Sequence, residues 1–215
     1  MGMFIDMALV DLSHRGNLGY LIYVVYYIND QVNRLLFEME ERFKGTPYYR
    51  HYSNRILKQI MKECQRAKES MYKESQDYAL DTADKLVRLE EAFLPYFEVI
   101  LDKVRLILLD KGVKGDTLDF VISVYGLMIL GRCSQDTVEH IQHLAHKCIA
   151  PTFTPMQRDN LGKVFVDSIL LLKHWLGKEL TDQLLEGSPE LNEAIRSFSD
   201  KIFNRPELCE LLLTD

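Results

Sequence analysis

The densest group of side chains able to do chemistry lies between Arg42 and Lys73, which holds nine Lys or Arg against two Glu. That local charge of +7 leaves −13 for the rest of a chain whose total is −6. On a helix, Arg55, Lys62, Arg66 and Lys73 fall within about 20° of a common direction, with Lys58 beside them. Clustered cations on one helix face are what phosphate binding requires, and Tyr48, Tyr49, His51 and Tyr52 would add stacking surface at the start of the stripe. Arg55, Lys58, Lys62, Arg66 and Lys73 are therefore the candidate anion or nucleic-acid face. The plainer reading is a solvated amphipathic helix, since Ile56, Ile60, Cys64, Ala67 and Met71 occupy the opposite side.

Other constellations carry less. His140, His143 and His146 sit three residues apart after Asp136 and invite a metal, but the apolar face of that helix passes through Ile141, Leu144 and Cys148. That leaves His143 and His146 largely toward solvent. Glu38 with Glu41, and Asp81 with Asp84, are paired acids of the kind that hold magnesium on helical bundles, and such pairs are equally at home on an exposed face. No histidine has Glu three residues before it, as a carboxylate-bridged di-metal site needs. No nucleophile elbow, glycine-rich phosphate loop or His-Glu-x-x-His is present. Cys133, between Arg132 and Ser134, would be activated if a helix began at Ser134, and is otherwise a buried inert thiol. No cofactor and no metal site is expected.

The elements that would carry these residues are helical throughout. Apolar residues at Leu18, Leu21, Val25, Ile28, Val32, Leu35 and Met39 alternate steps of three and four, predicting a first long helix that Gly45 closes. Tyr20, Tyr23 and Tyr27 form a second stripe beside this seam and are the candidate protein interface. Thr46–Pro47 opens a second long helix, Pro95 kinks or restarts it, and Gly112 ends it. Leu118 to Leu130 is apolar on every side except Asp119 and Ser123, so it must be surrounded by other helices and is too short for a bilayer span. Gly131 is expected to end it, and Ser134 to start a further helix that Pro151 terminates. Thr154–Pro155 and Ser188–Pro189 start two more, with a short helix around Asp182–Glu186 between them, and Pro206 opens a last one.

Period-two alternation and hairpin dipeptides are lacking, so no sheet is expected. The expected architecture is all-α: a long antiparallel N-terminal helix pair joined to a bundle around residues 118–130. It is read as one domain, 1–215, with a sub-division available at Pro95 into 1–94 and 95–215.

With 47% hydrophobic residues, the chain has ample core material, and a pI of about 5.6 gives no chain-wide attraction to nucleic acid or anionic membranes. Four scattered cysteines without metal spacing, and no signal-peptide pattern at the start, point to a reducing cytoplasm and away from a membrane. The function expected is a non-enzymatic helical module that binds a protein partner or itself. The alternatives are a nucleic-acid accessory protein using residues 55–73 and a metal-assisted helical enzyme.

Overall fold

The computed structural model describes residues 2–50, 58, 62, 82–147 and 156–203. The chain is all-α: 91% of the described part is helical, in seven helices, with no strand among the described residues. These are α1 (Gly2–Phe43), α2 (Pro47–Arg50), α3 (Thr82–Asp110), α4 (Asp116–Lys147), α5 (Met156–Leu176), α6 (Lys178–Glu186) and α7 (Pro189–Phe203).

The apolar rod at residues 118–130 is the first half of α4. From Phe120 to Gly131 every residue except Ser123 is buried. Three helices enclose it, all antiparallel to it. At one end, Phe43 of α1 packs edge-on against Phe120 with ring centroids 5.2 Å apart, and Trp175 of α5 reaches the same ring at 5.9 Å. Further along, a Cβ at Gly126 would meet Leu35 of α1 at 3.1 Å and Phe97 of α3 at 3.3 Å. At Gly131 the approach is closer, since a Cβ there would lie 2.8 Å from the backbone nitrogen of Phe165 in α5. α7 packs along α3 in the opposite sense, Phe198 meeting Phe93 and Phe97 at 6.4 and 6.0 Å, so α7 runs parallel to α4. The Tyr20 hydroxyl donates to the carbonyl of Ile202 at 3.0 Å and ties α1 to the end of α7.

Three boundaries differ from the sequence expectation. Gly131 does not end the central helix, because its missing side chain is what admits α5; the helix continues through Ser134 to Lys147. Ser134 is accordingly a fully buried interior residue and not a cap. Pro95 lies inside α3 without breaking it. Its ring is exposed, as is Glu91 one turn before, so the carbonyl that loses its donor faces water.

Because α4 is longer than the rod, its stretch Asp116–Thr137 is long and apolar enough to cross a bilayer by length and composition, which the shorter run was not. In this fold 78% of that apolar stretch is buried inside the chain.

The other stops fall as expected. Gly45 and Gly112 both have φ near +80°, the left-handed conformation glycine adopts without strain. At Gly112 the bonds Val113 N to Leu108 O and Gly112 N to Leu109 O make a Schellman closure. Ser188 caps α7 by accepting the Leu191 amide at 3.1 Å, with Pro189 as the first helical residue. The expected long helix after Thr46–Pro47 falls outside the described residues apart from α2, Lys58 and Lys62, and so does the start at Thr154–Pro155.

Candidate interaction cleft

The residues singled out for chemistry are not gathered in one place. Lys58 and Lys62 are helical and exposed, while Arg55, Arg66 and Lys73 lie outside the described residues. His140 and His143 are exposed, His140 stacking obliquely on Phe203 at 5.0 Å. The side chain of His146 is outside the described set, as are those of Asp81 and Asp84, and Glu38 and Glu41 are exposed. Among the described residues no three His, Cys, Asp or Glu side chains converge as metal ligands would.

Cys133 is buried in mid-helix, with no helix N-terminus beside it; burial pushes its thiol up to about 12, Asp136 adding to the rise and Arg132 opposing it. This thiol is inert. Asp119 binds two cations from different helices, Arg42 of α1 at 2.5 Å and Arg105 of α3 at 3.2 Å, so it clamps the end of the bundle.

Two members of the tyrosine stripe are taken up within the chain. Tyr20 and Tyr27 are 3% and 4% exposed, and the Tyr23 side chain lies outside the described residues. Burial raises the Tyr27 phenol well above its ordinary range, Glu90 adding to it. The two rings fill the contact of α1 with α3 and α7, as the 5.9 Å approach of Tyr27 to Phe93 shows, and they do not form an outer surface.

What the fold does leave open is a cleft of about 540 Å³ between α4, α5, α6 and α7. Tyr125, Met128 and Ile129 of α4 make its floor. Phe165 and Ile169 of α5, Leu185 of α6 and Ile195 of α7 make its walls. The rim is polar: Arg132 and Asp136 on α4, then Asn192, Arg196, Ser199 and Asp200 on α7. Arg132 lies over the Phe165 ring, Cζ 5.8 Å from its centroid, and meets Asp136 only loosely at 3.9 Å. Partial burial raises the Asp136 carboxyl above its ordinary range, with Arg132 opposing. The hydroxyl of Tyr125 is buried without a hydrogen-bond partner among the described residues, and burial raises its pKa. A smaller space of about 390 Å³ lies between Lys103, Leu106 and Ile107 of α3 and the Ser188–Glu190 turn.

An apolar floor with a rim of both charges is the composition of a recognition surface. Sequence reasoning placed Tyr125, Met128 and Ile129 in the core and missed the α7 rim. The signal available was the repeated spacing Arg132-x-x-x-Asp136 and Arg196-x-x-x-Asp200. Compared with known family models, with curated proteins and with solved structures, the chain matches none.

Proposed function

We propose that the chain is a non-enzymatic helical interaction module that holds a protein partner or a second copy of itself in the cleft between α4, α5 and α7. The observation that carries this reading is the pairing of an apolar floor and walls with a rim bearing Arg132, Asp136, Arg196 and Asp200. Helices that already surround a central rod, with a half-open cleft walled by the partly exposed Phe165, Ile169 and Ile195, favour an added element more than a reacting centre. The exposed apolar side chains Val166 and Leu170 on α5 extend the surface.

A photo-crosslinking residue at Ser199 on the rim, compared with one at Glu91 on the exposed face of α3, tests the reading. The module predicts one discrete adduct from Ser199, to a partner or to a second chain, lost when Ile169→Trp fills the wall. No adduct from Ser199, or equal adducts from Glu91, would remove it.

A second reading rests on Lys58 and Lys62, helical, exposed and one turn apart. It predicts salt-dependent binding to single-stranded nucleic acid that K58E/K62E weakens, and no binding at low salt would end it.

A further inference from the structure

We draw no further inference here: the strongest candidate, the cleft between α4, α5, α6 and α7 with its charged rim, belongs to the site already described, and nothing in the structure shows what covers it.

Discussion

Cys133 and Asp136, three residues apart on α4, show how depth along one helix sets chemistry. The thiol is 8% exposed and sits far above its ordinary pKa, so at pH 8 almost none of it is thiolate. Site-resolved alkylation should leave Cys133 unmodified in the native chain and label it fully in denaturant. Asp136 is half-exposed, and burial penalises its charged form. A carboxyl held above its ordinary range favours the folded state most at pH values below that range, and the advantage is lost as pH rises through the folded value. Asp136→Asn should therefore raise the urea midpoint slightly at pH 7, with the difference shrinking toward pH 3. A lower midpoint at pH 7 would mean that the 3.9 Å contact with Arg132 outweighs desolvation. Tyr20 illustrates the opposite case, a buried polar group that is satisfied. Its hydroxyl serves the carbonyl of Ile202 in the last turn of α7, where the helix offers no internal donor. Tyr20→Phe should cost about 1 kcal/mol in urea unfolding, with the m-value unchanged.

At the scale of elements, the contact of α4 with α5 depends on Gly131. An added methyl group there meets backbone, which cannot rotate away, whereas at Gly126 it meets the ends of Leu35 and Phe97 side chains. Gly131→Ala should destabilise the fold by at least about 2 kcal/mol, beyond the modest gain in helix propensity. Gly126→Ala should fall within about 1 kcal/mol of zero, because propensity offsets mild crowding. Equal losses at the two positions would contradict the packing described.

The same glycine explains what was legible in the sequence. A central rod could be inferred from Leu118 to Leu130 because a run that is apolar on every side reports burial directly. Its length could not, because a glycine that ends a helix and one that admits a neighbour look alike until the neighbour is known. Of the two expectations at Pro95, a kink or a restart, the restart failed for a related reason: the cost of the lost hydrogen bond depends on whether the freed carbonyl meets water. Caps were more readable, since Gly112 and Ser188 act through local backbone chemistry alone. The tyrosine stripe was visible, but pattern alone does not say whether a second apolar face meets the same chain or another one. The cleft was least readable, because its rim joins helices more than fifty residues apart.

Among the described helices, α4 organises the rest: α1, α3 and α5 close on it, α7 packs along α3, and the cleft lies between α4, α5, α6 and α7. Substitutions on the enclosed side should be far costlier than those on the open side. Phe120, fully buried against Phe43, Tyr48 and Trp175, should lose about 3–5 kcal/mol on Phe120→Ala, with a fall in thermal midpoint that follows from it. Rim variants such as Arg196→Ala should leave stability within about 0.5 kcal/mol and alter binding only.

Native-state hydrogen exchange on the full chain tests the enclosure of α4 most directly. Amides from Ile122 to Gly131 are expected to be the slowest in the molecule, exchanging only through global unfolding and with a denaturant dependence equal to that of the whole chain. Exchange of those amides by local opening, at rates like those of α6 or the outer face of α3, would contradict the account.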